Sequence, residues 1–282
     1  MQLFLLIIST CFALSFQYPA LLLEDEYNEL SRVFGGRFAN PQEFPWMVHL
    51  QTDKGNGKVG VCGGFVISKK FVMTAAHCVC RNATLKLYAD VKDITGRIGN
   101  IEKAKGTIVK FNKMHVHERY DENYNADIAI LQLETPIAKF DKNVKSICLA
   151  SSGKTYKNRQ PVIQMGWGRF DNGSVITSSK LKTTSLGYFL DRKSCIQEMS
   201  SYANPGQLCI SNANGEKICG GDSGGPLCIQ DGADKLAIGI VSFDFYNWCV
   251  AGNDLPAIYT DIGFYADWVR SKTKDNTICW KN

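Results

Sequence analysis

The residues best placed to do chemistry lie in Cys219-Gly220-Gly221-Asp222-Ser223-Gly224-Gly225-Pro226, where one serine stands among glycines directly after an aspartate. A serine hydroxyl is a weak nucleophile until a base takes its proton and fixed donors hold the oxyanion that forms. Glycines on both sides let the backbone turn tightly and come close to a carbonyl. Alone, such a string is more often an ordinary turn. Two further segments change that weight. Thr74-Ala75-Ala76-His77-Cys78 offers an imidazole base, and Asp127-Ile128-Ala129-Ile130-Leu131 offers a carboxylate embedded in an apolar run. Histidine accepts and returns a proton near neutral pH, and an aspartate behind it fixes its tautomer.

The three motifs, in the order His, Asp, Ser, resemble those of the chymotrypsin/trypsin family of serine endopeptidases, from Val33 to about Trp268. The resemblance implies an all-β fold of two six-stranded antiparallel barrels with a C-terminal helix, the catalytic cleft lying between them. It assigns His77, Asp127 and Ser223 to catalysis and the N–H groups of Gly221 and Ser223 to an oxyanion hole. Ser242 matches the position that supports the buried aspartate, and Trp167 between two glycines matches another family signature. Arg32 before Val33-Phe34-Gly35-Gly36 looks like an activation cleavage site. Cutting there frees the Val33 amine to pair with Asp222, and a buried ion pair of that kind is stable only when both partners are present.

The primary pocket departs from the familiar enzymes. Six positions before Ser223 stands Lys217, where trypsin-like members carry an aspartate, and Ile218 flanks it. Asp244, two after Ser242, and Ala257 replace glycines that usually leave the mouth open. A trypsin-like preference is therefore not expected. Lys217 either points inward and favours an acidic residue, or is neutralised by Asp244 or Glu216 or turned outward, leaving a small or apolar pocket. The second reading spares the cost of a lone buried ammonium.

Residues 3–14 are almost wholly apolar and too short to span a bilayer, so residues 1–15 read as a signal peptide. Residues 16–32 then form an activation propeptide and residues 33–282 one protease domain. The protein is expected to be secreted, and eleven cysteines suit an oxidising compartment. Family resemblance suggests the pairs Cys62–Cys78, Cys195–Cys209 and Cys219–Cys249, and Cys148–Cys279 completes the guess. Val162 stands where the family often has the partner of Cys228, so Cys228 is expected to be unpaired or differently paired. Asn82 and Asn172 begin glycosylation sequons.

The formal charge of +5 becomes +8 without residues 1–32, which hold one basic and four acidic residues. This reads as a solvated basic surface; no Lys/Arg run suggests nucleic acid, and no later segment suggests a membrane. His49 alternates with apolar neighbours and reads as structural, whereas His115 and His117 read as surface. Their His-x-His spacing is a weak zinc signal. Asp90, Asp93 and Glu102 lack the spacing of a calcium loop. No cofactor or metal is expected. The partners implied are protein or peptide substrates, an activating protease and protein inhibitors, acting on a monomer. A protease-like binding protein with an occluded site is the alternative.

Short apolar runs separated by turn residues must position these groups: Trp46–Leu50, Gly63–Ile67, Leu85–Ala89, Ile128–Leu133, Val162–Met165 and Ala237–Val241 read as strands. Residues 262–271 read as a terminal helix.

Overall fold

Alternating burial marks the strands: along Ile94–Ile98 every second residue is buried, as a pleated strand with one face on a core requires. The computed structural model describes residues 36–169, 176–199, 204–212, 219–243 and 255–282. After β1 (Arg37–Phe38) the chain enters a closed barrel. Its strands are β2 (Met47–Gly55), β3 (Lys58–Val66), β4 (Phe71–Thr74), β7 (Ile94–Ile98), β8 (Thr107–Val116) and β9 (Ala129–Leu133), in the order β2-β3-β4-β9-β8-β7. Between β4 and β7 lie the one-turn helix α1 (Ala76–Val79) and a small ribbon of β5 (Cys80–Asn82) and β6 (Leu87–Tyr88). Val48, Leu50, Phe65, Val72, Ile94, Ile130 and Leu131 on these strands are all buried.

The chain then passes through β10 (Cys148–Ala150) into a second antiparallel sheet. This comprises β11 (Ile163–Gly166), β12 (Lys182–Thr184), β13 (Gly187–Leu190), β14 (Gln207–Asn212), β15 (Pro226–Asp231), β16 (Asp234–Phe243) and β17 (Ala257–Asp261). The path runs β12-β11-β15-β16-β17-β14-β13, and β1 pairs with β12 at its end. Val162 N donates to Gly187 O at 3.0 Å and Phe189 N to Gln160 O at 2.9 Å, which draws the two ends of the path together. Taken as one bent path, β12 and β13 make this a ring of six, as the sequence resemblance implies.

Disulfides join Cys62–Cys78, Cys195–Cys209 and Cys148–Cys279. The last holds β10 beside β18 (Trp280–Lys281), pairing the chain end with the middle of the sequence. Cys80 and Cys228 are free and buried, the latter opposite Ile163 on β11. Cys219 is disulfide-bonded, and Cys249, the partner expected from the sequence, lies outside the described residues.

Three elements differ from the sequence reading. The β2–β3 hairpin extends well past Leu50 through a polar run, because its outer end pairs backbone to backbone without an apolar face. The Leu85–Ala89 strand shrinks to Leu87–Tyr88, since Asn82 Oδ1 accepts from Leu85 N and holds a turn there. The terminal helix is α3 (Ala266–Thr273), starting later than expected, because Asp261 Oδ1 accepts from Gly263 N and Phe264 N and makes a turn first. The short helix α2 (Arg192–Met199) went unread; only Cys195 and Met199 of it are buried, too few to show a period.

Candidate active site

Thr74 ends β4 with its hydroxyl donating to Gly63 O at 2.8 Å, and the chain turns at once into α1, which carries His77. Asp127 arrives just before β9, the strand paired with β4 in the same barrel, and is completely buried. Its carboxylate accepts from three donors. Oδ1 takes His77 N at 2.9 Å, and Oδ2 takes the Ser242 hydroxyl at 2.6 Å. His77 Nδ1 lies 2.8 Å from Oδ2; facing a carboxylate, that nitrogen carries the proton and leaves Nε2 as the basic atom. Thr260 Oγ1 adds a bond to Asp127 O at 2.8 Å, so β16 and β17 of the second barrel both grip the aspartate.

Ser223 sits in the turn before β15, between the barrels. Its carbonyl accepts from Gly63 N of β3 at 2.7 Å. Cys78 Sγ lies 3.5 Å from Ser223 O and 3.8 Å from His77 Nε2, so one disulfide sulfur is near both residues. The Ser223 hydroxyl makes no hydrogen bond to His77 among the described residues; in sites without substrate such bonds are commonly long. The N–H groups of Gly221 and Ser223 are likewise taken by no protein acceptor among the described residues. Gly224 has φ +80°, and a Cβ there would strike Thr74 Oγ1 and Gly63 O, so only glycine closes this turn against β3.

Asp222 points away from the hydroxyl. Gly168 N donates to its Oδ1 at 2.6 Å and Cys219 N to its Oδ2 at 2.9 Å. Gly166 and Gly168 leave the space its carboxylate fills, since a Cβ on either would overlap it. Burial pushes this carboxyl up to about 6, against the pull of the two backbone donors and Lys182. Trp167, between those glycines, is buried and donates from Nε1 to Ile101 O at 2.7 Å.

The structure thus brings His77, Asp127, Ser242 and Ser223 to one place, with Asp222 behind them. Ala257 is fully buried on β17. Arg32, Val33, Asn172, Lys217, Ile218, Asp244 and Cys249 lie outside the described residues. Asn82 is exposed. The acids of the loop after His77 are occupied by neighbouring cations: Asp90 with Lys92, Asp93 with Arg81 and Glu102 with Lys105.

His117 corrects the surface reading. It is buried, with its ring against Tyr265 and Trp268 and Nδ1 accepting from Arg119 N at 3.1 Å, because α3 folds back over it. His49 is buried as expected, edge-on to Trp167, and burial lowers its imidazole to about 4. No motif points to Tyr124, whose ring meets His77 edge-on at 5.6 Å, or to Phe243, whose ring lies tilted against Tyr124 at 5.1 Å. Tyr124 has φ +58°, a left-handed backbone that no motif announces.

A family model described as Trypsin matches residues 33–269. Over 256 residues the chain is 28% identical to CLIP domain-containing serine protease B4 of Anopheles gambiae, covering 85% of this chain and 69% of that protein. Over 252 residues it is 31% identical to Transmembrane protease serine 11C of Mus musculus, covering 86% of this chain and 54% of that protein. Among the described residues no helix is long and apolar enough to cross a membrane.

Proposed function

The chain belongs to the trypsin family, and from that premise we propose that it is a secreted serine endopeptidase made as a zymogen. Ser223 attacks the peptide carbonyl, and His77 takes its proton and returns it to the leaving amine. Asp127 holds the imidazole in the tautomer that leaves Nε2 basic and stabilises the imidazolium. The free N–H groups of Gly221 and Ser223 receive the oxyanion; losing one such donor costs roughly 3 kcal/mol of transition-state stabilisation. Water then resolves the acyl-enzyme with His77 as base again. The observation that carries this reading is the chain from Ser242 through Asp127 to His77, which is wholly hydrogen-bonded and buried at its centre.

Activation follows cleavage after Arg32. The support is Asp222, a fully buried carboxylate whose ionisation burial resists. An ammonium supplied by Val33 would relieve that cost and hold the Gly221–Ser223 backbone in place. Specificity is not trypsin-like, since Lys217 occupies the position of the family's Arg/Lys-binding aspartate. We read its charge as neutralised or turned away, leaving a small or apolar pocket. Substrates are proteins or peptides, and the activator is another protease.

The test is to cut the recombinant chain after Arg32 and profile its cleavages in a mixed peptide pool beside Ser223→Ala. Cleavage lost in the variant supports the enzyme, and small or apolar residues before the cut bond support the pocket reading. An acidic preference would place Lys217 in the pocket. No cleavage by a folded, cut chain would favour an occluded binding protein.

A further inference from the structure

A one-turn helix has few internal hydrogen bonds to hold its reactive side chain still. α1 also lacks a side-chain cap at its start, and its final carbonyls need partners from elsewhere. Lys54, near the end of β2, supplies them: Nζ donates to His77 O at 2.9 Å and to Cys80 O at 3.0 Å. A cation is well placed at the carbonyl end of a helix. The lysine is half-buried, and burial lowers its ammonium despite the opposing pull of Cys80 and Asp127.

Gly60 on β3 makes the reach possible. A Cβ there would lie 2.7 Å from Lys54 Cε and 3.5 Å from both Cδ and Cγ, so the stem crosses where a side chain would stand. Gly60 is not among the residues with positive φ, so its backbone does not demand glycine. A second cation ties the same two segments in the reverse direction: Arg81 Nη2 donates to Asp53 O at 3.2 Å and to Asp93 Oδ2 at 3.0 Å.

We propose that Lys54 is a positioning residue for His77, its ammonium clasping one carbonyl of the short helix and the carbonyl of Cys80 just beyond it, through the gap left at Gly60. The proposal rests on His77 being the general base. His77 is then fixed at three points: N and Nδ1 on Asp127, and O on Lys54. Displacing a reacting group by about 1 Å can cost on the order of 10²-fold in rate, so a modest loosening is visible in turnover.

The experiment compares cut wild type, Lys54→Met, Gly60→Ala and the double variant on one peptide substrate. Lys54→Met keeps the stem and removes the donors. Gly60→Ala keeps the donors and pushes only on the tip of a flexible side chain, so it carries the test if Lys54→Met fails to fold. Each single variant should lower kcat about tenfold with KM changed less than about twofold. The double variant should match the singles, because both break one clasp. Unchanged kcat in Gly60→Ala, or losses that multiply to about a hundredfold in the double, would overturn the proposal. Wild type without Ser223-dependent turnover would overturn the reading of the site, and the clasp's role with it.

Discussion

A carboxylate with no solvent exposure keeps its charge only when donors surround it. Asp127 meets that condition through His77 N, His77 Nδ1 and the Ser242 hydroxyl. Asp127→Asn leaves the shape and swaps an acceptor for a donor, which turns the imidazole to the wrong tautomer. kcat should fall about 10⁴-fold with the fold intact, the scale known for the serine–histidine–aspartate template. Ser242→Ala removes one hydrogen bond to a charged group, worth about 1.5 kcal/mol, and should lower kcat about tenfold. Steady-state kinetics beside melting curves separate both effects from unfolding. Equal kcat in the Ser242 variant would mean the Asp127 carboxylate is held well enough by His77 without it.

At the scale of elements, β2 and β3 carry a conflict as well as support. His49 on β2 lies opposite Gly63 on β3, and its two ring nitrogens are buried without a protein partner among the described residues. Its imidazole is lowered to about 4, chiefly by burial and further by Lys103 and Arg97. The unfolded chain therefore takes up this proton first as pH falls, and stability is lost between about pH 6.5 and 4. His49→Phe should gain stability relative to wild type as pH falls through that window, by about 3 kcal/mol at its lower end. Melting temperatures at pH 7 and pH 4.5 measure the difference; a gain that does not grow toward low pH would contradict the buried, neutral histidine.

The strands most legible in the sequence were those with an apolar face, such as β9 and β16. The outer β2–β3 hairpin was hidden because its order comes from backbone pairing between polar residues. His77, Asp127 and Ser223 were legible because each sits in a short motif whose neighbours are constrained by turning or packing. Lys54, Tyr124 and Thr260 were not, since their roles come from approaches between distant segments. Thr260 meets a carbonyl 133 positions away, and Lys54 one 23 away. His117 was misread for the same reason: what buries it is the distant helix α3.

Across the whole molecule, Asp222 is a buried carboxylate whose ionisation burial opposes. The Asp222 carboxyl is raised to about 6 from an ordinary value near 4, so the full-length chain loses stability as pH rises through that interval. Up to about 3 kcal/mol is at stake at neutral pH. Cleavage after Arg32 should restore much of it at neutral pH, the gain shrinking as pH rises above about 8, the ordinary value of a free α-amine. Cut and uncut chains, both as Ser223→Ala to prevent self-digestion, should differ in melting temperature at pH 7, with the difference shrinking as pH rises above about 8. No difference at pH 7 would sever Asp222 from activation.

Ser223 as nucleophile, with His77 as its base, is open to direct chemical test. The most direct measurement treats the cut chain with a fluorophosphonate and maps the adduct by mass spectrometry, with His77→Ala alongside. A single adduct on Ser223, absent from the His77 variant, is the predicted result. An unlabelled Ser223 in the folded, cut chain, or equal labelling without His77, would contradict it.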